Sequence, residues 1–280
     1  MPLKKTKEIL THATQNKYGV LAAVTFNFET VKWAIKAAEQ EKMPVIILFY
    51  PGFGNHIPQG FVAHAAKGLA KESPIPVAVH LDHSSSYDIA IKGIKDGFTS
   101  IMVDGSALPY EQNKALTRAV VQTAKVFDVD VEAELGRVGS GNSVDDMTNT
   151  DFFTDPTQAR EYVEHTKCDA LAVAVGNAHG EYIQTPKLDF TRIKAIRKAL
   201  DLPLVMHGSS GIPDEQIQEA VLQGISKFNL GTEYFKAHYD ALVSDTQSGN
   251  ALALMKNVEE PIIEFLRSKI RLLNPNKFSL

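Results

Sequence analysis

The chain has 280 residues, 44% of them hydrophobic and 22% charged, with a formal net charge of −4. This is an ordinary globular composition with enough apolar material for a sizeable core, and it lacks the basic excess that nucleic-acid binding requires. The one cysteine, Cys168, excludes an intrachain disulfide and a thiolate-only zinc site. No signal-peptide core or run of about 18 apolar residues occurs, so a soluble, cytoplasmic protein without membrane contact is expected.

In chain order, a short amphipathic helix at roughly 3–17 precedes eight short apolar runs: GVLAAVTF (19–26), PVIILFY (44–50), IPVAVHLD (75–82), TSIMVD (99–104), VDVEAEL (129–135), DALAVAVG (169–176), PLVMHG (203–208) and ISKFNLG (225–231). Continuous apolar runs of this length suit strands buried on both faces of a parallel sheet. Helical patterns with start and stop signals lie between them: one from Thr30, one led in by Ser86 and ended by Gly97, one from Glu111, and two opened by Asp155-Pro156 and Pro213-Asp214. Eight βα repeats predict a (β/α)8 TIM barrel, one domain over 1–280, with a helical extension from about 233. Two doubly wound domains are the alternative, disfavoured because no Gly, Ser or Pro linker interrupts the middle. The longest irregular stretch, 136–156, is polar and glycine-containing, which reads as a mobile functional loop, with a disordered surface insertion as the alternative.

In such a barrel, chemistry gathers at the C-terminal strand ends. Here these ends carry Asn27, Tyr50, Asp82 with His83, Asp104, Glu132 with Glu134, Asn177 with His179, His207, and Asn229 with Thr232. The opposite ends carry mostly Gly and Pro. His83, His179 and His207 are either hydrogen-bonded polar residues or, with an open fourth position, a catalytic zinc set. His80 shares a face with Asp82 by the strand period of two. Asp82 suits general acid/base work or a structural cap. It joins His83 at a metal only if the strand turns, since neighbouring strand residues point oppositely. The segments His207-Gly208-Ser209-Ser210-Gly211 and Asn229-Leu230-Gly231-Thr232 offer backbone N–H and hydroxyl donors where barrels often bind phosphate.

Together HLDH (80–83), GFTSIMVDGSALPYEQN (97–113), VEAELGRVG (131–139), LAVAVGNAHGEY (171–182), PKLDF (186–190), PLVMHGSSGIP (203–213) and KFNLGTE (227–233) resemble the class II, metal-dependent ketose-bisphosphate aldolases. The likeness is greatest to the tagatose- and fructose-1,6-bisphosphate branch and collinear over almost the whole chain. The resemblance implies reversible cleavage of a ketose 1,6-bisphosphate to dihydroxyacetone phosphate and an aldehyde such as glyceraldehyde 3-phosphate. It implies zinc on His83, His179 and His207, with Glu134 as an alternative ligand, and Asp82 as proton donor and acceptor. Gly180, Gly208, Ser209, Ser210, Asn229 and Thr232 would hold the phosphate half, with a monovalent cation, Na+ or K+, nearby. It also implies a homodimer or homotetramer, with an accessory subunit in some relatives.

Three departures from the family pattern stand out. The loop that usually carries a catalytic glutamate reads GSGNSVDDM (139–147), so Asp145 or Asp146 would replace it. Phe49-Tyr50-Pro51-Gly52 stands where a small hydroxyl residue is usual. Lys256 stands where a neighbouring subunit's arginine usually meets the distal phosphate, and lysine lacks the bidentate fork. These leave open an aldolase for another phosphorylated or deoxy sugar, or a non-catalytic barrel subunit.

Overall fold

The computed structural model describes residues 2–279. Eight parallel strands close into one barrel in sequential order. They are β1 (Val20–Val24), β2 (Val45–Phe49), β3 (Val77–Ser84), β4 (Ser100–Val103), β5 (Asp130–Leu135), β6 (Ala170–Val173), β7 (Leu204–Met206) and β8 (Ile225–Leu230). Each expected strand is present, shorter by one or two residues at most ends, and the architecture is the (β/α)8 barrel. Helix α1 (Thr6–Asn16) precedes β1 and packs against β8 and β3. The outer ring is α2 (Phe28–Glu41), α3 (Gln59–Glu72), α4 (Tyr87–Asp96), α5 (Tyr110–Val126), α6 (Val144–Thr148), α7 (Pro156–Thr166), α8 (Phe190–Ala199) and α9 (Asp214–Leu222). Helices α10 (Thr232–Ser244) and α11 (Ala251–Leu272) follow, α11 lying along α2.

The local signals act as their chemistry requires. Ser86 caps α4 by accepting from the Ile89 N–H, and Asp155 caps α7 ahead of Pro156. Both satisfy backbone donors that a helix start leaves unpaired. The second helix starts two residues earlier than its sequence pattern indicates. Asn27 caps it, accepting from Thr30 N–H while Thr30 accepts from the Asn27 N–H. The stretch 136–156 contains α6 and a 3-10 turn at Thr150–Phe152, and it is tied to the next loop by paired backbone bonds between Gly139, Gly141 and His179.

β3 is the irregular strand. Its register against β4 shifts between Leu81 and Ser84, and His83 has φ 43°. A left-handed residue there cancels the strand alternation, so Asp82 and His83 both face the barrel mouth.

Candidate active site

The three histidines meet at the C-terminal mouth. The ligand atoms of His83, His179 and His207 lie within 4.8 Å of one another. His83 Nδ1 is 2.8 Å from Asp104 Oδ2, which leaves Nε2 facing inward, 3.0 Å from His207 Nδ1. His207 Nε2 is 3.0 Å from Glu132 Oε1 and donates to it, so its Nδ1 keeps a lone pair. His179 Nε2 is buried without a partner. Three imidazole nitrogens directed at one point, one of them orphaned, fit a zinc ion: tetrahedral ligands at about 2.0–2.1 Å stand roughly 3.3 Å apart. Glu134 also reaches the cluster, its unpartnered Oε2 lying 3.7 Å from His207 Nδ1.

The charges are arranged accordingly. Burial opposes a charged His83, but the neighbouring Asp82 and the bond to Asp104 outweigh it and lift its pKa to about 9. Burial and the His83 charge push His179 and His207 down. Burial, reinforced by Asp104, raises Glu134 to about 8. Before a cation arrives the cluster thus holds a proton that a metal would replace.

Below the histidines, a polar column fills the barrel. Lys227 is wholly buried and donates to Glu132 Oε2 at 2.7 Å. Glu132 therefore bridges Lys227 and His207. His80 Nδ1 lies 2.6 Å from Ser100 Oγ, which is 2.5 Å from Thr6 Oγ1 of α1. The period of two places Lys227 under Asn229 on β8, Glu132 under Glu134 on β5, and His80 under Asp82 on β3.

Asp82 is buried, with Oδ2 3.9 Å from His83 Nε2, and Asn229 Nδ2 lies 3.3 Å from both carboxylate oxygens. Opposite it, a cleft of about 790 Å³ is bounded by Gly180, Gly208, Ser210, Gly231 and Thr232. Gly208 has φ +60°, and a Cβ on it would stand 1.9 Å from the Ala178 carbonyl oxygen. Only glycine lets these two loops touch. Tyr182 locks them: its hydroxyl accepts from Ala178 N–H and donates to the Gly208 carbonyl, both at 2.8 Å. Ser209 Oγ donates to the Asn229 carbonyl, so it ties the β7 and β8 loops together. The N-terminus of α10, at Gly231 and Thr232, opens into the cleft and favours an anion.

A family model of class-II fructose-bisphosphate aldolase matches residues 4–277. The chain belongs to this family. As a class II aldolase it is a carbon–carbon lyase. It superposes on the YdjI aldolase from Escherichia coli K12 with TM-score 0.88 and 36% identity, covering 97% of both chains. A Coccidioides immitis structure assigned as a fructose-1,6-bisphosphate aldolase gives TM-score 0.87 and 26% identity over 96% of both chains. The fold is also that of fructose-bisphosphate aldolase from Campylobacter jejuni, with TM-score 0.81 and 23% identity, covering 97% of this chain and 95% of that one.

The aldolase brings Asp82, His83, His179, His207, Glu134, Asn229 and the glycine loops together, and places five of the expected residues elsewhere. Ser209, expected at the phosphate, is absent from the cleft lining, its hydroxyl committed to the Asn229 carbonyl. The Asn27 side chain is occupied as the α2 cap and is absent from the cleft lining. Asp146 is turned to the loop base, accepting from Ser140 N–H and pairing with Arg137 at 3.1 Å. Asp145 is exposed and bonds Asn149. Lys256 is exposed on α11, outside the cleft lining, and Arg267 and Arg271 are both committed to Glu41 and Glu264. Sequence reading passed over Lys227, Glu132 as a bridge, and Tyr182. A lysine inside ISKFNL, a strand of a parallel barrel buried on both faces, was the available signal, since buried lysine needs a partner. No helix among the described residues is long and apolar enough to cross a membrane.

Proposed function

We propose that this aldolase reversibly cleaves a ketose 1-phosphate between C3 and C4, giving dihydroxyacetone phosphate and an aldehyde, with zinc held by His83, His179 and His207. The observation that carries this reading is the convergence of three metal-competent imidazoles and Asp82 opposite a glycine-lined anion cradle. Glu134 is positioned to ligate when an imidazole is displaced. Bound there, zinc supplies Lewis-acid stabilisation of the negative charge that cleavage leaves on the ketose oxygens.

The chain's own residues do the rest. Asp82, oriented by Asn229, takes the C4 hydroxyl proton. The C4–O bond becomes a carbonyl, the C3–C4 bond breaks, and its electron pair enters the enediolate. Protonation at C3 completes dihydroxyacetone phosphate. The loop 139–147 is the proposed source of that proton, through Asp145 or Asp146, which requires Asp146 to leave Arg137 or Asp145 to swing inward. Gly180, Gly208, Ser210, Gly231 and Thr232 hold the phosphate, Ser209 fixes their loops, and a monovalent cation would complete the cradle. The family resemblance supports a homodimer or homotetramer.

Proton exchange tests this reading without any aldehyde. Zinc-loaded protein should exchange the C3 hydrogen of dihydroxyacetone phosphate for deuterium in D2O, followed by NMR. Chelation should stop the exchange and zinc should restore it. Stoichiometric zinc with no exchange above the buffer rate would defeat the proposal.

A further inference from the structure

The cleft has two unlike ends. The phosphate end is the glycine cradle described above. Lys236 of α10 borders the adjoining pocket shared by Gly180, Ser210 and Thr232, and is paired with Asp240 at 2.7 Å.

The other end is aromatic. The Tyr50 ring stands edge-on to His83, 6.2 Å between centroids. From it a continuous row crosses to the first turn of α10: Tyr50 to Phe53 at 5.3 Å, Phe53 to Phe235 at 5.8 Å, and Phe235 to Phe26 at 5.2 Å. Ile89 adds an apolar side chain beside them. Tyr50 is 42% exposed and its ring lies against Gly52, where a Cβ would come within 2.3 Å of Cε1. The ring is thus seated by the Pro51-Gly52 turn. None of the described residues lining the cleft is Lys or Arg; Asp82 and Asp104 are its carboxylates, and its imidazoles, His83 and His179, belong to the proposed metal set. Within one subunit a phosphate at this end would meet aromatic faces and carboxylates in place of a cation, and desolvating an unpaired dianion is strongly unfavourable. Carbohydrate C–H faces and methyl groups, by contrast, gain from aromatic contact.

Resting on the proposed aldol reading, we infer that the aldehyde half of the substrate carries no phosphate: the substrate is a ketose 1-phosphate with an uncharged tail, deoxygenated or C–H-rich at its far end, selected by Tyr50, Phe53 and Phe235. This departs from the 1,6-bisphosphate that the sequence resemblance implies.

The test is condensation by the zinc-loaded enzyme at saturating dihydroxyacetone phosphate, comparing lactaldehyde with glyceraldehyde 3-phosphate. Lactaldehyde should have the higher kcat/KM by at least tenfold. Phe53→Arg, which sets a cation in the aromatic row, should move the ratio toward glyceraldehyde 3-phosphate by at least tenfold. Equal or greater kcat/KM for glyceraldehyde 3-phosphate in the wild-type enzyme overturns the inference, and its loss in Lys256→Ala would then locate the cation on a neighbouring copy. Deuterium exchange separates the two levels. Exchange with preference for the phosphorylated aldehyde sinks only the tail assignment, whereas no exchange sinks the aldol reading beneath it.

Discussion

Replacing Lys227 by methionine removes the cation from a wholly buried bridge while keeping the stem's volume. Glu132 then keeps only the His207 Nε2–H as a close partner, and its Oε2 loses a 2.7 Å charged bond in a site that is 2% exposed. Removing one member of a buried ion pair typically costs about 3–5 kcal/mol, because the surviving charge stays desolvated. His80, 3.9 Å from that oxygen, is held neutral by burial and by the Lys227 charge, and its protonation would offset part of the loss. The expected destabilisation is therefore about 3 kcal/mol at neutral pH, read as a shift in urea midpoint for the metal-free protein. Adding Glu132→Gln should recover most of it, since an amide oxygen can still accept from His207. A loss below about 1 kcal/mol, or a double variant no more stable than the single one, would refute the bridge as a charged pair.

The remaining expectations concern protons, loops and catalysis. The His83 pKa of about 9 and the Glu134 pKa of about 8 both exceed their ordinary values, so the metal-free native state holds extra protons between the ordinary and raised values. Its stability should fall as pH rises from about 6.5 to 9, while zinc affinity rises over the same interval as the competing proton leaves. Thermal melts and chelator competition at three pH values check both signs. Gly208→Ala places a methyl against the Ala178 carbonyl and should raise KM for the phosphorylated substrate at least tenfold or prevent folding, which circular dichroism distinguishes. Tyr182→Phe leaves the Ala178 N–H and Gly208 carbonyl unpaired at that point and should destabilise by about 1–3 kcal/mol. Asp82→Asn should lower kcat at least a hundredfold while metal content, measured by elemental analysis, stays stoichiometric.

Much of the architecture was legible because each strand is short, apolar and bounded by caps that act locally. Ser86, Gly97 and Asp155 set helix ends through their own side chains or φ angles, and such effects need no distant partner. The same holds for the polar residues at strand ends, which belong at the mouth once the barrel is assumed. The sequence could not show that Asp82 and His83 share one face, because a strict strand would oppose them. The left-handed φ at His83, set against β4, overrides that period. It also could not show that Asn27 is occupied as a cap, or that Asp146 is turned toward Arg137, since both depend on which competing partner lies closer.

Taken alone, then, the sequence determined the eightfold repeat and put His83, His179, His207 and the two glycine loops at strand ends, which follows from local periodicity; the reading of those histidines as a metal set came from the family resemblance. Only the tertiary structure decided which nitrogen of each ring is free, what Lys227 neutralises, and that the far end of the cleft is aromatic and without a lysine or arginine. Most of those properties arise from side chains distant in sequence, such as His207 against Glu132, Asn229 against Asp82 and Phe53 against Phe235, which closure of the barrel brings into contact.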